Sequence, residues 1–316
     1  MSGLTLAMLN DKELAGKLAK RGTTSDIHMY NYRTGNKDLT VVFPEMYPDK
    51  LQPLFYALDM CDMPLVVVKE LNAVLGEEII AISKFGLGEG FVILDNYIEQ
   101  EKWEKLTHGT CLSNYKIVEK NIPELLQILS GVSHVKNSDF SYIAIDHFFN
   151  VRGVGTVVLG VCRGGVQRHE QLRVYPTERV VEVRSIQVHD VDVEQAAHGE
   201  RVGLALKGIE ANELDRGYVL AKDGALRVTE KIWVHGEIEK FYKGRVAEGM
   251  SVHVYLRLAF VPARIENCQI NGNQFDAEIV VQKPLAVRDG DTIILADLNA
   301  KMMRIMGAGT VIPGQG

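Results

Sequence analysis

The sequence predicts a multidomain chain: an α/β domain built on a parallel sheet, followed by two β-barrels. Three observations predict this order. The chain has 316 residues, too many for one ordinary hydrophobic core. Up to about residue 135, short apolar runs alternate with segments of helical period, as in strands each followed by a helix. Beyond that point the helical period is lost, and short alternating strands set off by Gly and charged turn residues take over. The expected domains are 1–135, 136–227 and 228–316.

Within the first part, Leu4 to Leu9 reads as a strand. Asp11 to Arg21 reads as a helix with Leu14, Ala15 and Leu18 on one side, stopped by Gly22. Leu39 to Phe43 reads as a strand, and Leu51, Leu54, Phe55 and Leu58 fall at helical spacing. Pro64 to Val68 is apolar and β-branched, hence a buried strand. Val74 to Phe85 reads as helix, Phe91 to Leu94 as strand, Glu99 to Leu106 as helix, Tyr115 to Val118 as strand and Pro123 to Leu129 as helix. The first barrel is expected from Tyr142 to Phe149, Thr156 to Cys162, Gln171 to Tyr175, Val180 to Val188 and Val202 to Leu206. The second is expected from Ile232 to Phe241, Ser251 to Val261, Asp276 to Ala286, Asp291 to Ala296 and Met302 to Met306.

Composition narrows the function classes. No apolar run reaches the about 18 residues of a membrane span, and no basic start with an apolar run precedes a cleavage site, so a cytoplasmic protein without a membrane partner is expected. Cys61, Cys111, Cys162 and Cys268 form no C-x-x-C pair, which argues against zinc or redox motifs and for reduced thiols. The nine histidines form no ligand-spaced cluster, so no metal site is expected. A formal charge of −6 gives no global attraction to nucleic acid, and DNA is not an expected partner. Gly86-Leu87-Gly88-Glu89-Gly90 follows a helix and precedes a strand, the wrong order for a dinucleotide fingerprint, and reads as a turn. No G-x-S-x-G elbow is present, and His169-Glu170 lacks the second His of a zinc helix.

The most specific stretch runs from Asp146 to Gly217. It holds Val151-Arg152-Gly153-Val154-Gly155-Thr156-Val157-Val158-Leu159-Gly160, then Val183-Arg184-Ser185-Ile186-Gln187-Val188-His189. Gly199-Glu200-Arg201-Val202-Gly203-Leu204-Ala205-Leu206-Lys207-Gly208 and Arg216-Gly217 complete it. In this order and spacing the segments resemble the second domain of translational GTPases, above all SelB and elongation factors of the Tu type. Gly153 and Gly155 suit a tight turn, and Thr156 to Val158 a pleated, half-buried surface. Arg304-Ile305-Met306-Gly307-Ala308-Gly309-Thr310-Val311 is similar to the closing strand of the third domain in that family.

The resemblance implies a first domain of the P-loop GTPase type, and its motifs are missing. A phosphate loop, G-x-x-x-x-G-K-[ST], cradles phosphate on backbone amides, neutralises it with Lys and holds Mg²⁺ through a hydroxyl. The nearest candidate is Gly16-Lys17, with Asp11 where the first glycine belongs and Leu18 where the hydroxyl belongs. The D-x-P-G-H motif, aligned on Pro44, has become Val42, Phe43, Pro44, Glu45 and Met46. After Phe91 to Leu94, where N-K-x-D would read guanine, stands Asp95-Asn96-Tyr97-Ile98. A Ser-Ala pair is not visible near Val118. The expected protein is therefore a pseudo-GTPase with no catalytic residues and no cofactor; its degenerate positions are Asp11, Lys17, Leu18, Val42, Glu45, Met46 and Asp95.

By resemblance, the second domain holds the aminoacyl end of a charged tRNA and faces the ribosome. The positions matching that pocket are Asp146, His147, Phe149 and Arg184, with His147 where the family has a basic residue. An Asp–Arg pair there is equally readable as structural, since buried charges are normally paired. Between 151 and 227 eleven Lys plus Arg meet eleven Asp plus Glu, so no basic stripe marks this domain. The expected partners are tRNA, the ribosome or another translation factor. Two alternatives stay open: a divergent GTPase using GTP and Mg²⁺ with Lys12 or Lys17 at phosphate, and an interaction scaffold without an RNA ligand.

Overall fold

The computed structural model describes residues 3–34, 37–132 and 140–314. The chain divides into two compact units, Met1–Lys136 and Asn137–Gly316.

The first unit is a seven-stranded sheet with helices. Its strands are β1 (Leu4–Leu9), β2 (Lys20–Thr24), β3 (His28–Thr34), β4 (Lys37–Phe43), β5 (Met63–Val68), β6 (Phe91–Leu94) and β7 (Lys116–Ile117). They lie in the order β2-β3-β4-β1-β5-β6-β7. β1 runs parallel to β4 and β5, and β5, β6 and β7 run parallel to one another, whereas β3 is antiparallel to both β2 and β4. Every residue of β1 and β5 is buried, as expected of parallel strands covered on both faces. The helices are α1 (Lys12–Leu18), α2 (Gln52–Met60), α3 (Ala73–Lys84), α4 (Gln100–Thr107) and α5 (Ile122–Gly131). On one face, Leu14 and Leu18 of α1 and Leu125 and Leu129 of α5 pack on Leu4, Leu6 and Met8.

This unit departs from expectation between α1 and β4, where the unanticipated strands β2 and β3 add antiparallel pairings to the expected parallel sheet. The helix expected to reach Arg21 ends at Leu18; Ala19 is already extended, and Lys20 opens β2. The apolar face of α1 is spent at Leu18, and the next residues pair with β3, Lys20 opposite Asn31 and Arg21 opposite Tyr30. Propensity yields here to strand pairing. β2 and β3 carry no clear alternation of their own.

The second unit is all β. Its first barrel uses β8 (Tyr142–Val151), β9 (Gly155–Arg163), β10 (Gly165–Gln167), β11 (Gln171–Tyr175), β12 (Val180–Val188), β13 (Val191–Val193), β14 (Gln195–Ala197), β15 (Arg201–Lys207) and β16 (Val219–Ala221). The order β11-β16-β8-β9-β15-β12 closes through β11–β12, β13 extends it, and β10 with β14 forms a separate ribbon. The core holds Ile143, Ile145, Val158, Val183, Leu204 and Leu220.

The second barrel is β17 (Arg227–Ile238), β18 (Ser251–Leu256), β19 (Ala259–Asn271), β20 (Gln274–Val287), β21 (Thr292–Ala296) and β22 (Ile305–Ile312), closed in the order β17-β20-β19-β18-β21-β22. The single strand expected from Ser251 to Val261 is a hairpin: Leu256 faces Ala259, and Arg257 and Leu258 both sit at positive φ. Such turns favour Asn-Gly, so Arg-Leu gives no local signal. Tertiary contacts hold it instead. Buried Arg257 pairs with Asp291, donates to the Ala286 carbonyl at 3.1 Å and lies over the rings of Phe140 and Tyr142. The two barrels meet closely at Gly217, where a Cβ would come within 2.4 Å of the Ala259 backbone nitrogen.

Candidate functional site

Three places carry chemistry. The first is the C-terminal edge of the parallel sheet, at β1, where the neighbours on its two sides lead to different connections. Open α/β sheets bind their ligands at such an edge. Only Asn10 and Asp11 connect β1 to α1. Asp11 is buried and caps α1, its Oδ1 accepting the Leu14 amide at 2.9 Å. Its Oδ2 faces Lys120 Nζ at 2.8 Å and Lys69 Nζ at 3.4 Å. Lys120 also reaches Asp95 Oδ2, at 2.7 Å, so one ammonium ties the ends of β1 and β6 together. Burial pushes the Asp11 carboxyl up, but the Lys120 and Leu14 hydrogen bonds and Lys69 outweigh it and hold it below the usual carboxylate range. The hydrogen bond from Lys120 likewise lowers Asp95, and the two carboxylates raise Lys120.

The other positions singled out in this unit lie around that edge or away from it. Lys17 and Leu18 are in the last turn of α1; Lys17 pairs with Glu13 on the same helix, and Leu18 is in the core. Val42 is buried in β4. Glu45, in the turn after β4, pairs with Lys12 and stands 3.3 Å from His28 Nδ1, while Met46 beside it is exposed. Beneath the edge, Glu78 of α3 is fully buried, and its Oε2 accepts from Asn10 Nδ2 at 2.8 Å. Burial pushes the Glu78 carboxyl up to about 8, against the pull of the Asn10 bond and with Glu77 adding to the rise.

The second place is in the first barrel. The β8–β9 pairing shifts register between Ile145 and His147, leaving Asp146 as a bulge residue. A bulge breaks the in–out alternation, so Ile145 and Asp146 are both buried. Arg201 of β15 grips Asp146 with two parallel hydrogen bonds, Nη1 to Oδ1 at 2.9 Å and Nη2 to Oδ2 at 2.8 Å. His147 Nδ1 lies 2.7 Å from Oδ2, and Arg216 Nε donates to the Asp146 carbonyl at 3.0 Å. Burial raises the Asp146 carboxyl; Arg201 and His147 more than reverse this and hold it low. Facing an ionised carboxylate, Nδ1 must donate, and the buried Nε2 has no hydrogen-bond partner among the described residues. Phe149 is exposed. Arg184 is not on Asp146: it is exposed, and its Nη1 reaches the Val154 carbonyl at 3.4 Å. The arginine of this site is Arg201, which the sequence offered only as part of a barrel signature.

The third place went unnoticed in the sequence. In the second barrel, Tyr242 Oη donates to Asp297 Oδ2 at 2.8 Å and joins the loops before β18 and before β22. Lys240, Lys243, Arg245 and Lys301 are exposed on them, with Phe241 and Met302 exposed at 51% and 72%. Lys240 Nζ sits 4.7 Å from the centre of the Phe241 ring. Cations beside an open aromatic face suit a phosphate backbone with unstacked bases. Only folding brings the two loops side by side. Among the described residues, no group of three or more His, Cys, Asp or Glu is placed to hold a metal ion, and no helix is long and apolar enough to cross a membrane.

Comparison with known proteins adds to this geometry. Residues 155–221 match the family described as elongation factor Tu domain 2. An uncharacterized protein of Methanocaldococcus jannaschii is 37% identical over 98% of this chain and 99% of its own length. The selenocysteine-specific elongation factor of the same organism is 29% identical over 93% of this chain and 72% of its length. Among solved structures, translation elongation factor SelB from Methanococcus maripaludis, in complex with a GTP analogue, superposes with a TM-score of 0.83 at 23% identity. That match covers 99% of this chain and 79% of SelB.

Proposed function

We propose that this chain, which is similar to SelB and elongation factor Tu-like translational GTPases, is a member of that family that binds charged tRNA, the ribosome or another translation factor without hydrolysing GTP. One observation carries the reading: two residues join β1 to α1 where a phosphate loop needs about eight. In this reading the edge does not fit guanosine triphosphate. Gly16 and Lys17 belong to α1 rather than to the connection before it. Asp11 brings a buried negative charge to the place a polyphosphate would need. The Asp11 carboxylate already engages the nearest ammonium groups, Lys120 at 2.8 Å and Lys69 at 3.4 Å, so a polyphosphate would have to displace it to gain their charge.

The RNA side of the proposal rests on the two barrels. Asp146, held by Arg201 and His147, lies three residues before exposed Phe149 on β8, and the aminoacyl end of a tRNA is the ligand we assign to this stretch. The Phe241 and Met302 loops supply exposed apolar contact beside four lysine and arginine side chains, which would meet the sugar-phosphate backbone. The division into domains 1–135, 136–227 and 228–316, and a cytoplasmic location, belong to the same reading. Titration calorimetry of the purified protein with GTP and with GDP, in magnesium, tests it: no saturable heat is expected at micromolar ligand, and micromolar binding of either nucleotide ends the proposal. In a filter-binding assay, wild type should retain aminoacyl-tRNA and Lys243→Glu/Arg245→Glu should lose it. Equal retention by both would remove the barrel surface from the argument.

A further inference from the structure

Two lysines that need not meet are drawn to one point at the sheet edge. Lys69 follows β5 and Lys120 precedes α5, yet both ammonium groups close on the Asp11 carboxylate, at 3.4 and 2.8 Å. The lysine side chains keep 42% and 41% exposure, while Asp11 keeps 4%. A crevice of about 360 Å³ opens beside Asp11 and Lys69, lined also by Asn10, Lys12, Glu13 and Tyr47; Lys120 reaches Asp11 without lining it. Ammonium groups that stay half in water gather round carboxylates that compensate their mutual repulsion, Asp11 between the two lysines and Asp95 at 2.7 Å from Lys120.

We propose that Asp11 is a tethered anion that fills, from within the chain, a lysine-lined subsite suited to phosphate oxyanions, and so keeps free phosphate compounds out of it. The inference rests on the reading that the wild-type protein binds no nucleotide. Its physical content is competition. The carboxylate is fixed by the cap it gives α1, so it is present at the lysines at very high effective concentration. A free anion must displace it or remain outside.

The test uses inorganic tripolyphosphate, which has no base or sugar, and the full-length protein. Asp11→Asn removes the charge and keeps a side-chain oxygen for the Leu14 amide, since Asn caps helices as well as Asp. Asp11→Ser does the same with a different side chain. Both should bind tripolyphosphate at least about tenfold more tightly than wild type, and the gain should shrink as salt rises. Adding Lys120→Gln to Asp11→Asn should abolish the gain. No gain in either single variant, or a gain that survives loss of Lys120, overturns the inference. Equal tripolyphosphate binding by wild type and Asp11→Asn overturns it too. Micromolar GTP binding by wild type would instead overturn the reading it rests on, so the two failures are distinguishable.

Discussion

Replacing Glu78 with Gln should stabilise the first unit, by an amount that grows with pH. Glu78 is fully buried on α3, accepts one hydrogen bond from Asn10, and has its carboxyl pushed up from 4.5 to about 8. The folded protein therefore holds a proton there that the unfolded chain releases between about pH 4.5 and 8. Because the folded state binds more protons across that window, its stability falls as pH rises through it. At about pH 7.5 the penalty is about 4 kcal/mol, and at about pH 5 about 1 kcal/mol. Gln keeps an oxygen for Asn10 and cannot ionise. Any cost of burying its amide N–H groups is independent of pH, so the quantity to read is the change in advantage, about 3 kcal/mol between the two conditions. The chain has two tryptophans, Trp103 in the first unit and Trp233 in the second. In a Trp233→Phe background, fluorescence-detected urea unfolding follows the first unit alone. An advantage that stays flat from about pH 5 to about 7.5 would refute the reasoning, since it would mean that Glu78 is not held protonated.

Asp146→Ala would leave the largely covered Arg201, 11% exposed, without its carboxylate, and should cost the second unit about 3–5 kcal/mol, read by Trp233 fluorescence in a Trp103→Phe background. Because the Asp146 carboxyl is held low, the stability it contributes is present above the unfolded value near pH 4 and is lost as pH falls through the folded pKa. Asp146→Asn should lack that acid slope, and an unchanged slope would contradict the assignment. Gly217→Ala must place a Cβ about 2.4 Å from the Ala259 backbone at a φ of +85°; a loss above about 2 kcal/mol is expected in the same assay, and an unchanged midpoint would mean that the barrels do not meet as tightly as described.

The class of fold was readable because each part repeats its period often. Fully apolar Leu4–Leu9 and Met63–Val68, set between amphipathic helices, specify a covered parallel sheet, and regular alternation after residue 140 specifies barrels. The likeness to elongation factor Tu domain 2 was readable because glycines such as Gly153 and Gly155 must occupy positive φ at fixed places in the β8–β9 turn. The failures have equally local causes. The Arg257–Leu258 turn contains no turn residue and is held by Asp291 and two aromatic rings distant in sequence. The bulge at Asp146 turns an even pattern odd, so the arginine that meets it is Arg201 across the ladder, which no one-dimensional spacing marked; Arg184, expected near the same pocket, reaches the Val154 carbonyl.

By itself the sequence determined the order of one α/β domain and two barrels, the elongation-factor character of the first barrel, and the absence of a phosphate-loop motif. These depend on periodicity and on residue types at short, fixed spacing. Only the tertiary structure decided which charges meet: Asp11 with Lys69 and Lys120, Asp146 with Arg201, and the loop of Phe241 beside that of Met302. Ion pairs and surface patches are set by proximity in space, and strands and helices carry residues distant in sequence to the same edge.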